Sequence, residues 1–141
     1  MLFDESFYFP ISELDNNDNN PKLVNPEVGL SKGNMFSNEY IPYKNYNTTS
    51  ITVISKQEQM LLKIMELCFA INDLNLFLDI NPDNKELLEL FKKYVTKEAA
   101  LEVEYINTYG PLVVNNSVNT KEFDWVVDPW PWDSYGGSRY V

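Results

Sequence analysis

The pattern of apolar and polar positions predicts two long amphipathic helices between residues 55 and 110. The first begins at Ser55 and Glu58, whose spacing is that of a capping box, in which each side chain satisfies a backbone N–H of the first turn. No proline or glycine interrupts the chain from there to Asp79. One apolar stripe recurs at helical spacing through this run: Met60, Ile64, Leu67, Ile71, Leu74 and Leu78.

The same helix carries a second set of apolar residues on nearly the opposite side, here called the second face: Leu62, Met65, Phe69 and Leu76. Polar residues are interleaved with it, namely Glu58, Glu66, Asn72 and Asp73. A single partner helix covers only one side of this helix. The second face is therefore predicted to need a different cover.

The second helix is predicted to begin near residues 81–83, with Pro82 in its first turn, where a missing N–H costs nothing. It ends at Gly110 and Pro111. Its apolar positions are Leu87, Phe91, Tyr94, Leu101 and Tyr105, with Leu88, Val95 and Ile106 alongside. Glu98 falls on this stripe. We expect the buried side of the helix to shift along its length, so that the Glu98 carboxylate stays in water. A buried charge is less favoured, because it would need a partner.

The fold class predicted from these elements is all-α. A connection of about five residues implies antiparallel neighbours, so residues 55–110 form a two-helix hairpin. A lone hairpin of this size is marginally stable. We therefore expect its own tail, a second copy or another protein to cover it, and we expect self-association when it is purified alone.

The segments on either side of the hairpin carry weaker patterns. Residues 1–25 open with aromatic side chains and pass into an Asn/Asp-rich run, which predicts a disordered arm. Residues 26–54 contain glycines, a proline and three tyrosines, and they suit an extended segment laid on another surface or an irregular loop. Residues 134–141 are predicted to be a flexible tail.

Residues 111–133 form an aromatic segment, here called the strap. Pro129 and Pro131 alternate with Trp130 and Trp132 and hold the backbone extended, so both rings are presented at low entropic cost. Trp125 precedes them. Because tryptophan is enriched among interface anchors, the strap either folds back onto the hairpin or binds a partner.

Length, charge and composition exclude several classes of function. The chain has 141 residues, a net charge of −10 and 44% hydrophobic residues, which argues for one small domain with extensions and against nucleic-acid binding. No apolar run reaches the roughly 18 residues that span a bilayer, so no membrane contact is predicted. The first residues lack the basic start of a signal peptide, and we expect the protein to stay in the cytoplasm where it is made.

No catalytic or metal site is predicted, although a metal site made of carboxylates alone stays open, without the spacing of an EF-hand. The chain has no histidine and one cysteine, so histidine-based triads and Cys/His zinc sites are excluded within it. Cys68 lies among apolar helix positions and is expected to be an inert core residue. The carboxylate pairs Asp73 with Glu66 and Glu98 with Glu102 are expected to be solvated surface. No enzyme activity and no cofactor are predicted.

A peptide-binding adaptor is the alternative function. The turn over residues 78–84 is similar to the junction between tetratricopeptide repeats. No 34-residue period follows it, however, and solenoids need several repeats.

Several stretches resemble a known family. Residues 60–70 (MLLKIMELCFA), residues 74–79 (LNLFLD), Tyr109-Gly110-Pro111-Leu112 and Pro129-Trp130-Pro131-Trp132 occur in the order found in the CotJB family of spore-coat proteins. This resemblance covers residues 56–133. Upstream, Gly29–Phe36 followed by Tyr40-Ile41-Pro42-Tyr43 is similar, over about twenty residues, to the short CotJA coat peptide.

The resemblance implies a non-enzymatic endospore-coat component made in the cytoplasm of the mother cell. It also implies a partner similar to manganese catalase, with which the small members of this family assemble. The chain would then be a natural fusion of the two small coat proteins. The second face (Leu62, Met65, Phe69 and Leu76) and the strap tryptophans (Trp125, Trp130 and Trp132) are the residues expected to bind that partner.

Overall fold

A computed structural model describes residues 21–39, 41, 44, 45, 47, 51–119, 121 and 123. They form three α-helices, α1 (Pro26–Lys32), α2 (Lys56–Ile80) and α3 (Lys85–Tyr109), followed by a short 3₁₀ helix over Val114–Asn119. No strand occurs among these described residues, where Leu23 and Phe36 form one isolated antiparallel β-bridge. The all-α class is confirmed for this part of the chain. The chain divides into two compact units, Met1–Leu101 and Glu102–Val141.

Helix α2 begins as predicted. The Ser55 hydroxyl accepts a hydrogen bond from the Glu58 N–H at 3.1 Å, and Glu58 Oε2 accepts one from the Ser55 N–H at 3.1 Å. Glu58 Oε2 also accepts from the Ile54 N–H at 2.6 Å. These backbone donors stabilise the carboxylate and lower the pKa of Glu58. The capping box is thus complete.

Replacing Ser55 with alanine is expected to lower the free energy of unfolding by about 1 kcal/mol, because the Glu58 N–H loses its acceptor. Urea unfolding followed by circular dichroism measures this change. Thr52→Ala is the matched control, since Thr52 is exposed and precedes the helix. Equal unfolding midpoints for the two variants would show that the cap contributes nothing.

The predicted apolar stripe of α2 lies in the core. Four of its six members are buried, and the other two, Ile71 and Leu78, are half-buried. The buried members are Met60, Ile64, Leu67 and Leu74. Ala70 is also completely buried. The apolar residues of α2 are spread around its circumference, whereas those of α3 are concentrated on one side.

Helix α3 begins later than the sequence pattern predicts. Asn84 provides the cap, and its Oδ1 accepts a hydrogen bond from the Leu87 N–H at 3.1 Å. Pro82 therefore lies in the turn before the helix. The turn is already closed by hydrogen bonds from the Asn81 N–H to the Phe77 carbonyl and from the Asn84 N–H to the Asn81 carbonyl. The buried residues of α3 are Leu87, Leu90, Tyr94, Leu101 and Tyr105.

Cys68 and Glu98 both differ from expectation. Cys68 is exposed rather than part of the core, and its Sγ lies 3.6 Å from Glu98 Oε1. Glu98 is half-buried, neither fully solvated nor enclosed. The contact joins α2 to α3, and the hairpin arrangement of these two helices stays a prediction.

The prediction that residues 26–54 are extended or irregular is wrong for α1. Pro26 occupies the start of the helix, Glu27 lies in the first turn and Lys32 in the last. Gly33 then ends the helix with φ 75°, a left-handed conformation that glycine adopts without strain. This arrangement, with proline at the start and glycine just past the end, is the usual one for a helix.

The second unit contains the end of α3 and the 3₁₀ helix. The Gly110 N–H donates to the Ile106 carbonyl at 3.1 Å, and Gly110 has φ 111°, so the predicted glycine stop is confirmed. The rings of Tyr105 and Tyr109 lie 5.2 Å apart between centroids. Asn116 Oδ1 accepts hydrogen bonds from the N–H groups of Leu112 and Val113, which orders the backbone after the helix.

Candidate partner-binding surface

The side of α2 that the sequence marks as polar is the side on which α1 packs. The Met35 N–H donates to Asp73 Oδ2 at 2.8 Å, and the rings of Phe36 and Phe77 lie 5.1 Å apart between centroids. Met35 itself is completely buried. A Cβ added at Gly29 would overlap Met35 Sδ, so the absence of a side chain there makes room for the methionine.

Glu66 is buried beneath this contact. Its side chain is 2% exposed, and its Oε2 lies 3.0 Å from Lys63 Nζ. Burial raises the pKa of Glu66 to about 7, because the charged form loses its hydration. Burial also lowers the pKa of Lys63, an effect that nearby Glu27 opposes. The expectation that Glu66 is solvated surface is wrong, since Glu66 is buried. Asp73 is half-buried and accepts the hydrogen bond from Met35, in the loop after α1.

A small cavity of about 30 Å³ borders the buried carboxylate. Its lining comes from α1, from α2 and from the loop between them: Glu27, Leu30, Ser31, Ile51, Leu62 and Glu66. This volume is large enough for a water molecule. Leu62, one member of the second face, therefore lies next to α1.

The rest of the second face is more open. Met65 is 46% exposed and Leu76 is 57% exposed, while Leu62 and Phe69 are half-buried. Two large apolar side chains on this side of α2 are therefore accessible to water. Of the four predicted side chains of the second face, Met65 and Leu76 are thus accessible to a partner. Trp125, Trp130 and Trp132, the predicted anchors in the strap, lie outside the described residues.

The described residues contain no group of three or more His, Cys, Asp or Glu side chains placed to hold a metal ion. The carboxylates proposed as pairs are engaged separately: Asp73 accepts from Met35, Glu66 contacts Lys63, and Glu98 contacts Cys68. In the same part of the chain, no helix combines the length and the apolar content required to cross a bilayer.

The surroundings of two carboxylates could not be predicted from the sequence. Glu66 and Asp73 are seven positions apart, so they lie on one side of α2, and this spacing was visible. The segment that packs against them was not visible, because α1 is short and lies more than twenty residues earlier in the chain. The sequence signal for that helix was Pro26 at its start and Gly33 just past its end.

Comparison with known proteins supports the resemblance seen in the motifs. The profile of the CotJB protein family matches residues 58–133, which is more than half of the chain. Neither the curated proteins nor the solved structures contain a match. The family match begins after residues 26–46, so the similarity of that segment to CotJA stays a prediction. The chain therefore belongs to the CotJB family and is a spore-coat-related protein.

Proposed function

We propose that the protein is a non-enzymatic structural component of the endospore coat, made in the mother-cell cytoplasm. It binds a coat protein similar to manganese catalase through the second face of α2 and the strap tryptophans. The exposure of Met65 and Leu76 beside half-buried Phe69 is the observation that carries this proposal. The identity of the partner rests on the family resemblance.

The packing of α2 explains why a partner is needed on this side. The first apolar stripe is buried, and α1 occupies the side that contains Glu66 and Asp73. The second face lies between the buried stripe and the side occupied by α1, and its residues Met65 and Leu76 contact water. Met65 and Leu76 are already about half covered, so enclosing each of them completely stabilises a complex by roughly half of the 1.5–3 kcal/mol that full burial contributes, or about 1 kcal/mol.

The strap supplies a second attachment in this proposal. Trp130 and Trp132 alternate with prolines, which restrict the backbone before binding and reduce the entropy lost on association. Trp125 adds a third large ring. Interfaces are commonly centred on a few such aromatic anchors, with weaker contacts around them.

The proposal is tested by co-expressing the protein with a manganese-catalase-like coat protein from the same sporulating cells. The double variant M65Q/F69Q is expected to weaken binding by at least about 2 kcal/mol, or roughly thirtyfold, and to abolish co-purification. Its far-ultraviolet circular dichroism should be unchanged, because glutamine is a good helix former.

The matched control is V95Q/V103Q, which changes two exposed valines on α3. Co-purification should survive in this control. If M65Q/F69Q still co-purifies, the second face is not the binding site. A peptide-binding adaptor is the remaining alternative. Two results together would favour it: M65Q/F69Q still binds the coat partner, and the protein captures short peptides.

A further inference from the structure

Residues 22–37, here called the α1 segment, are closed on themselves by hydrogen bonds. The Ser37 N–H and the Ser37 hydroxyl both donate to the Lys22 carbonyl, at 2.7 Å and 2.9 Å. The Val24 N–H donates to the Met35 carbonyl at 2.9 Å. These bonds bring the two ends of the segment together around α1 and do not involve α2. The attachment of the segment to α2 therefore rests on other contacts.

That attachment is small. Met35 is completely buried and its N–H donates to Asp73 Oδ2 at 2.8 Å, whereas the contacting rings of Phe36 and Phe77 are both half-buried. A seven-residue helix is not stable by itself. Segments with few buried side chains open locally at a lower free energy than the whole protein unfolds. We therefore expect the α1 segment to leave α2 before the long helices unfold.

Acidic side chains from both sides of this contact meet at the cavity of about 30 Å³. Glu27 of α1 and Glu66 of α2 both line it, and its other lining residues are uncharged: Leu30, Ser31, Ile51 and Leu62. Within the part of the chain that the structure describes, α3 contributes no residue to this lining. From α2 itself, Lys63 Nζ lies 3.0 Å from Glu66 Oε2, and Asp73 follows two turns later on the same side. With every group ionised, three carboxylates face one ammonium group.

Ionisation of Glu66 opposes the closed arrangement. The Glu66 side chain is 2% exposed, and burial raises its pKa to about 7 because the carboxylate loses its hydration. Lys63 offsets only part of this cost, since burial also disfavours its ammonium group and lowers the pKa of Lys63. Release of the α1 segment returns water to the Glu66 carboxylate. Ionisation and release therefore favour each other.

We propose that the α1 segment is a pH-sensitive cover, closed on α2 while Glu66 is protonated and released when its carboxylate is ionised. Release uncovers Leu62, which borders the cavity, and Phe77, whose ring contacts Phe36. The protein therefore presents more apolar surface on α2 at pH 8 than at pH 5. The inference does not depend on the coat partner, because it concerns contacts within the chain.

The sign and size of the effect follow from the pKa of Glu66 in the two arrangements. In the closed protein this pKa is about 7, and after release it returns to the ordinary value of 4.5. Closure is therefore strongest below about pH 4.5, weakens as the pH rises to 7 and changes little above that. Between pH 5 and pH 8, the ratio of closed to released protein is expected to fall on the order of fiftyfold.

Amide hydrogen exchange of the full chain, resolved residue by residue by NMR, tests the proposal. Met35 reports the closed segment, because its N–H is bonded to Asp73. Expressing exchange as protection factors removes the intrinsic dependence of the exchange rate on pH. We expect the protection factor of Met35 to fall on the order of fiftyfold from pH 5 to pH 8. An unchanged protection factor over this range would overturn the proposal.

Urea distinguishes local release from unfolding of the whole protein. Local release exposes little surface, so exchange of the Met35 amide should be nearly independent of urea at low concentrations. Leu67, which is completely buried in α2, should exchange with a steep dependence on urea. Equal urea dependence of the two amides would show that the α1 segment leaves only when the protein unfolds, and the proposal would then fail.

The variant E66Q shows whether this carboxylate controls the release. It keeps the shape of the side chain and removes the charge, so the protection factor of Met35 should agree within about twofold at pH 5 and pH 8. E104Q is the matched control, because it makes the same change at an exposed carboxylate, and it should show the fall of the parent. A fall in E66Q as large as that of the parent would contradict control by Glu66.

Discussion

Replacing Met35 with alanine is expected to lower the free energy of unfolding by about 2–5 kcal/mol. Met35 is completely buried, and its own N–H is hydrogen-bonded to Asp73 on α2. Truncation leaves a cavity between α1 and α2 and weakens the hydrogen bond from the Met35 N–H to Asp73. A seven-residue helix is not stable by itself, so α1 should separate from α2.

Urea unfolding measures the loss in M35A, and hydrogen exchange of residues 22–37 measures the separation of α1. M65A is the matched control, because it makes the same chemical change at a methionine that is 46% exposed. We expect less than about 1 kcal/mol for M65A. Equal losses in the two variants, or unchanged exchange of residues 22–37 in M35A, would contradict the packing of this segment.

Stability is expected to fall as the pH rises from about 4.5 to 7, because Glu66 is buried. The folded protein holds the Glu66 proton over this range, with a pKa of about 7, whereas the unfolded chain has released it at its ordinary value of 4.5. The unfolded state therefore binds fewer protons, and the free energy of unfolding decreases with pH. The full effect above pH 7 is at most about 3 kcal/mol.

The surroundings of Glu66 determine how much of this effect is seen. Lys63 lies 3.0 Å away and favours the ionised carboxylate, so it reduces the loss. Glu27 lines the same small cavity and disfavours a second negative charge. Glu58 acts in the opposite direction and in a different range: its pKa is lowered, so its contribution is lost only as the pH falls below about 4.5.

The variant E66Q isolates the effect of this carboxylate. It keeps the shape of the side chain and removes the titration, so it should match the parent near pH 5 and be more stable at pH 8. Urea unfolding at pH 5, 6, 7 and 8 measures the difference. E104Q is the control, because Glu104 is exposed. Parallel pH profiles for E66Q and the parent would show that Glu66 does not titrate in this range.

Much of the long-helix architecture could be predicted because its signals are local. The capping box of Ser55 and Glu58, the apolar stripe of α2 and the glycine stop at Gly110 each depend on residues within a few positions of one another. The start of α3 was misplaced by two or three residues for a related reason. Pro82 and Asn84 both favour a helix start, and only the Asn84 cap satisfies the Leu87 N–H.

The candidate site was predicted less completely. The sequence indicated that α2 has apolar residues on two sides, and the exposure of Met65 and Leu76 agrees with that pattern. It also implied that Cys68 belongs to the core, because its neighbours along the helix are apolar. Cys68 is instead exposed beside Glu98. Helical periodicity assigns a residue to a side of its helix, but the neighbouring element decides whether that side is covered.

The sequence by itself determined that this chain contains two long helices, where they begin and end to within a few residues, and that it belongs to the CotJB family. Only the tertiary structure decided that α1 covers Glu66 and Asp73, that Met35 fills the space beside Gly29, and that Met65 and Leu76 face water. The physical reason is that helix formation depends on neighbouring residues. Burial depends on contacts between segments that are far apart in the chain, and their combined packing energy outweighs local polarity.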